Sequence, residues 1–81
     1  MPQVFEWNGY RFFFFSDEGD PLELCHIHVR KAEQYAKIWI EPLVQLDRAY
    51  GINSSQLSRL LRIAEDRNAL ILEKWNEHFG L

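Results

Sequence analysis

Cys25-His26-Ile27-His28-Val29-Arg30, followed by Tyr35-Ala36-Lys37-Ile38-Trp39-Ile40, is the stretch that decides the fold. Successive side chains of a strand point to opposite faces. Ile27, Val29, Ala36, Ile38 and Ile40 therefore share one apolar face, and that shared face sets the parity of the register between two strands. A tight turn at Ala32-Glu33 then pairs Arg30 with Tyr35, His28 with Lys37 and His26 with Trp39. The face away from the core reads His26, His28, Arg30, Tyr35, Lys37, Trp39. Few structural needs explain two histidines, an arginine and a lysine interleaved with aromatic rings, so chemistry is sought there first.

Upstream, residues 3–16 read as another hairpin. Asn8-Gly9 is a strong signal for a two-residue turn in which both central residues take positive φ. It sets Trp7 against Tyr10, Phe5 against Phe12 and Gln3 against Phe14. The opposite side carries Val4, Phe13, Phe15 and the pair Glu6–Arg11. Residues 16–24, including Ser16-Asp17-Glu18-Gly19-Asp20-Pro21, are built from turn formers and read as an acidic loop.

Downstream, Glu41-Pro42 ends the sheet, because the residue before proline favours extended geometry and proline suits the first helical position. Residues 43–50 are expected to form a short helix closed by Gly51. Asn53 then caps a long helix, with Gln56 in a capping-box-like relation. Leu57, Leu60, Leu61, Ala64, Ile71, Trp75 and Phe79 form its buried stripe at three- and four-residue intervals. Arg62 and Asp66 sit four apart on its surface. Uninterrupted, that helix would run ~38 Å, at 1.5 Å per residue over about 25 residues. A domain of this length is only about 30 Å across. The helix must kink, overhang or lie along a partner, and Asn68 on its apolar side marks a kink or a contact point.

The chain has 81 residues, enough for a single domain spanning 1–81. A chain of that size buries only ~60–65% of its unfolded surface. With 47% hydrophobic and 15% aromatic residues, part of the apolar surface is expected to be covered by a second copy of the chain or a cognate small protein. One cysteine rules out an internal disulfide framework and points to a reducing compartment. No apolar run reaches membrane-span length and Met1-Pro2-Gln3 does not resemble a signal peptide. The expectation is a cytoplasmic protein with no membrane association. The net charge of −3 argues against coating nucleic acid by an overall positive field, though not against a local basic face.

Three chemistries fit the His-x-His-x-Arg face. His26 and His28 could ligate a metal, with Glu23, Asp20 or Glu41 completing the set. They could instead act as a general acid–base pair, since imidazole moves protons near neutral pH. Arg30 and Lys37 would then hold a scissile phosphate, while Tyr35 and Trp39 offer stacking platforms for unpaired RNA bases. Third, the face could be a binding surface without catalysis, because aromatic residues beside arginine are typical of interface hot spots. Cys25 falls on the core side and reads as a small apolar residue. No phosphate loop, dinucleotide fingerprint, nucleophile elbow or zinc-finger spacing occurs, and no cofactor is expected.

The order of these pieces carries a resemblance. It runs from a Met-Pro start through Gly9-Tyr10-Arg11-Phe12-Phe13-Phe14, acidic Glu18-Gly19-Asp20, His26-Ile27-His28-Val29 and Ala36-Lys37-Ile38-Trp39 to a helix ending in Glu73-Lys74-Trp75. Over nearly the whole chain it resembles the small bacterial proteins grouped as domain of unknown function 4160. Members usually lead into the His-x-His strand with paired prolines, where this chain has Leu24 and Cys25, with Pro21 upstream. The resemblance implies a gene neighbourhood like that of a toxin–antitoxin pair, and brings no established activity. His26 and His28 match its signature.

The expected fold is α+β: a four-stranded antiparallel sheet of two hairpins packed on a short helix and a long C-terminal helix. The expected function is a toxin-like component of a two-gene bacterial system acting on RNA or translation. His26, His28, Arg30 and Lys37 would be the catalytic candidates, and Arg30, Tyr35, Lys37 and Trp39 would contact RNA. The alternative is a non-enzymatic interaction or regulatory module.

Overall fold

A computed structural model describes residues 2–17 and 23–81. The greater part of the acidic loop, from Glu18 to Leu22, lies outside the described residues, as does Met1. Among the described residues five antiparallel strands follow one another in space as in sequence: β1 (Gln3–Trp7), β2 (Tyr10–Phe13), β3 (His26–Lys31), β4 (Gln34–Trp39) and β5 (Gln45–Tyr50). Two helices follow, α1 (Ser54–Asp66) and α2 (Asn68–Phe79).

The two hairpins form as their turns dictate. Asn8 and Gly9 both take positive φ, 53° and 84°, and Lys31 Nζ donates to the Asn8 carbonyl across the turn (3.2 Å). Trp7 opposes Tyr10 and Phe5 opposes Phe12, but a bulge near Val4 sets Gln3 opposite Phe13 rather than Phe14. The expected β3–β4 register is present throughout, with His26 opposite Trp39, His28 opposite Lys37 and Arg30 opposite Tyr35.

The sheet has a fifth strand where a short helix was expected. Residues 45–50 pair with β4, and Gly51 (φ +71°) turns the chain after a strand instead of closing a helix. The reason lies in a bulge. Ala36 opposes Ala49, Lys37 opposes Arg48, and Ile38 opposes Leu46, leaving Asp47 as the extra residue. Leu46 and Ala49 thus reach the core three positions apart, a spacing that imitates a helical stripe. Pairing also gives the outer backbone groups of β4 their partners, a demand local propensity does not register.

The long helix is divided in two. Asn53 caps α1, its side-chain oxygen accepting from the Gln56 N–H at 2.8 Å. Helical geometry lapses at Arg67 (φ −112°, ψ 20°), immediately before Asn68. The Arg67 N–H still reaches the Ile63 carbonyl and the Ile71 N–H reaches Arg67, both at 3.0 Å, so the break is a bend rather than a gap. A straight helix would outrun the molecule's longest extent of 34 Å. At the bend the Arg67 guanidinium lies 4.6 Å above the Phe5 ring.

Leu60, Ala64, Ile71 and Trp75 bury against Tyr10, Phe12, Ile27, Val29, Ala36 and Ile38. The helices therefore form one layer and the sheet the other, with the core between them. Among the described residues no helix is long and apolar enough to cross a membrane.

Candidate functional site

Residues paired across a sheet share a face, so the register fixes what the helix-free side presents. One row runs Glu6, Arg11, Arg30, Tyr35, Tyr50; the next runs Phe13, His28, Lys37, Arg48; a third runs His26, Trp39, Gln45. All six residues singled out from alternation stand on this side: His26, His28, Arg30, Tyr35, Lys37 and Trp39.

Face and exposure part company here. His26 is 0% exposed and His28 2%, although both point away from the core. The Phe15 ring lies 4.1 Å from the His28 ring, and Phe13 stands 5.6 Å away. His26 sits among Trp39, Trp75 and His28 at ring separations of 5.2, 5.2 and 5.1 Å. Aromatic residues flanking the sheet thus close over the imidazoles.

Both rings are also hydrogen-bonded. His26 Nδ1 lies 2.9 Å from the Leu24 carbonyl; a carbonyl only accepts, so Nδ1 carries the proton. His28 Nδ1 lies 2.7 Å from the Tyr35 hydroxyl, which fixes the phenol relative to the imidazole. Buried polar groups cost free energy unless partnered, and these contacts explain why two histidines are tolerated there.

Around the buried pair lies an accessible rim. Arg30 stacks over Tyr35 at 5.3 Å, and Tyr35 lies nearly parallel to Tyr50 with centroids 6.2 Å apart. Tyr50 is 61% exposed. Lys37 Nζ sits 4.5 Å over the Trp39 ring and 3.5 Å from Asp47, which also pairs with Arg48 at 3.3 Å. Lys37 is thus largely withdrawn and neutralised, leaving Arg11, Arg30 and Arg48 as the more accessible cations.

Cys25 is fully buried, and its backbone N–H donates to Glu41 Oε1 at 3.2 Å. Burial, reinforced by the Glu41 carboxylate, pushes its thiol up to about 12. That keeps it protonated and inert, in line with a packing role. Among the described residues no group of three or more His, Cys, Asp or Glu side chains could hold a metal ion. Asp20, one of the acids considered as a ligand, lies outside them.

Sequence reasoning missed Tyr50 and Arg48, because residues 43–50 read as helical, and it missed the covering role of Phe15. The pattern of the family described as Domain of unknown function (DUF4160) matches residues 9–76, from the first turn to the last part of α2. The chain belongs to this family. The matched span takes in the whole outer face except β1, so the buried histidine pair and the tyrosine–arginine rim both stand on DUF4160 sequence. No curated protein and no solved structure matches the chain.

Proposed function

We propose that the outer face of the sheet binds single-stranded RNA, and that this DUF4160 protein acts through that binding as a toxin-like component of a bacterial two-gene system. The observation that carries the reading is the cross-strand row Arg11, Arg30, Tyr35, Tyr50, with Arg48 beside it. Stacked, accessible rings interleaved with cations are what grips unpaired bases and their backbone. The resemblance supports the two-gene setting. An acid–base role for His26 and His28 requires substrate to reach rings that are almost wholly enclosed, so binding is the reading the geometry favours. His28 then serves as a positioning residue that holds the Tyr35 phenol.

The test is fluorescence anisotropy with a labelled unstructured RNA oligonucleotide, paired with growth after induction of the chain alone. Replacing Tyr50 by alanine weakens RNA binding about tenfold, the size of one lost stacking contact, and Arg48→Ala weakens it in a salt-dependent way. Both substitutions relieve growth arrest. RNA binding unchanged by either substitution overturns the reading.

A second reading has its own observation. Leu24, 58% exposed, lines a groove of about 360 Å³ with Trp39, Pro42 and Leu46 among others, and Leu43, 59% exposed, lines an adjoining groove that shares Glu41 and Pro42 with it. Such a patch suits a protein partner or a second copy. Leu43→Asp then abolishes self-association or co-purification with the neighbouring gene product, measured by light scattering. A monomer that ignores its neighbour removes this reading.

A further inference from the structure

A different groove lies on the helical side of the molecule, between the tip of the first hairpin and the second and third turns of α1. Trp7, Ser58, Arg59, Arg62 and Ile63 line it, and its volume is about 310 Å³. Arg59 and Arg62 are three apart on α1 and therefore neighbours on its surface. Among the described residues no ion pair involves either guanidinium, although Asp66 stands one turn beyond Arg62. Two uncompensated cations thus flank an indole, a hydroxyl and an aliphatic wall.

We infer that this groove binds a nucleoside monophosphate group, with the base against Trp7 and the phosphate held by Arg59 and Arg62. The chemistry selects this class in three steps. Guanidinium groups match phosphate oxygens bidentately and strongly. Trp7 and Ile63 supply an apolar wall for a flat ring, with base–aromatic stacking contributing about 1–3 kcal/mol. The volume falls at the small end of ligand sites, roughly 300–1,000 Å³, and suits a single nucleotide unit. The Ser58 hydroxyl adds a donor and acceptor to the lining. This site uses none of the outer-face residues and does not depend on the reading given for them. The group could arrive as a free nucleotide or as the 5′-terminal phosphate of an RNA.

Titration calorimetry on the intact chain tests this with the four nucleoside 5′-monophosphates, inorganic phosphate, a short RNA with and without a 5′-phosphate, and polyglutamate. At least one monophosphate binds, and inorganic phosphate binds at least tenfold more weakly because it has nothing to stack. Arg59→Gln/Arg62→Gln, on an exposed helix face and checked for folding by circular dichroism, lowers the affinity for the monophosphate at least tenfold. Trp7→Leu lowers it while leaving the response to inorganic phosphate unchanged. Tighter binding of the 5′-phosphorylated RNA than of the unphosphorylated RNA, with the gain lost in Arg59→Gln/Arg62→Gln, assigns the group to an RNA end; no such gain assigns it to a free nucleotide. No heat with any monophosphate overturns the inference. So does full affinity in the double arginine variant, or equal competition by polyglutamate, which would reduce the groove to a general anion-attracting surface.

Discussion

Ile27 and His28 are adjacent on β3 and almost equally withdrawn from solvent, at 0% and 2% exposure, yet opposite faces hold them by different chemistry. Ile27 lies under the helices among aliphatic and aromatic side chains, where burial is favourable in itself. His28 lies beneath Phe15 on the helix-free face, and its burial is sustained by a hydrogen bond to Tyr35. One face is a core built by secondary-structure packing. The other is a polar core made by rings that close over a strand pair. The comparison teaches that strand alternation specifies which side a residue faces, while coverage is a separate question settled by the rest of the chain.

The strongest way to break the comparison is at the residue that serves both sides. Trp75 packs edge-on against Phe14 at 5.2 Å and also against His26 at 5.2 Å. Trp75→Ala is expected to cost about 3–5 kcal/mol in denaturant unfolding and to shift the His26 ring resonances in NMR spectra. Ile27→Ala probes the helix-covered face alone. It is expected to cost about 2–5 kcal/mol, set by the cavity left behind, with the His28 resonances unmoved.

On the other face, His28→Ala leaves the Tyr35 hydroxyl without its imidazole partner and is expected to cost about 1–3 kcal/mol. Tyr35→Phe removes the same bond but keeps the ring, and should cost about 1 kcal/mol. If His28→Ala were neutral in chemical denaturation, the second face would not be a core at all. The cap at Asn53 belongs to neither face and gives a local reference: Asn53→Ala is expected to cost about 1 kcal/mol.

The smallest effect at neutral pH is the titration of Cys25. Its folded-state value is raised from 9.0 to about 12, so the folded protein binds the proton more tightly than the unfolded chain. That contribution to stability is fully present below pH 9 and is lost as pH rises through about 12. Unfolding free energy measured against pH should therefore fall less steeply in alkali for Cys25→Ala than for the natural chain. An identical slope in both would mean that the thiol is not held in a dry site.

Much of the fold is legible residue by residue. Asn8-Gly9 announces the first turn, the Ile27/Val29 and Ala36/Ile38 parity sets the second hairpin, and Asn53 marks the start of α1. Residues 43–50 misread as helix because the bulge at Asp47 brings Leu46 and Ala49 to the same face three positions apart. The break at Arg67 is indicated only indirectly, by a helix too long for its domain with Asn68 on its apolar side. For the candidate site, alternation places all six residues on the correct face. Tyr50 and Arg48 were hidden by the misread strand, and the enclosure of His26 and His28 depends on Phe15 and Trp75, which are distant in sequence.

By itself the sequence determined the turns, the pairing parity of the two hairpins, the apolar stripe of the helical segment and the family. Those features are encoded by neighbours a few residues apart, through φ preferences, the two-residue strand period and side-chain spacing along a helix. Only the tertiary structure decided that residues 45–50 extend the sheet, that the helix bends at Arg67, and that two histidines facing away from the core are nevertheless buried. Each of these depends on contacts between distant segments: hydrogen-bonding groups on β4 that need partners, a molecule 34 Å in its longest dimension, and aromatic rings from β2's flank and α2 that pack on His28 and His26 respectively.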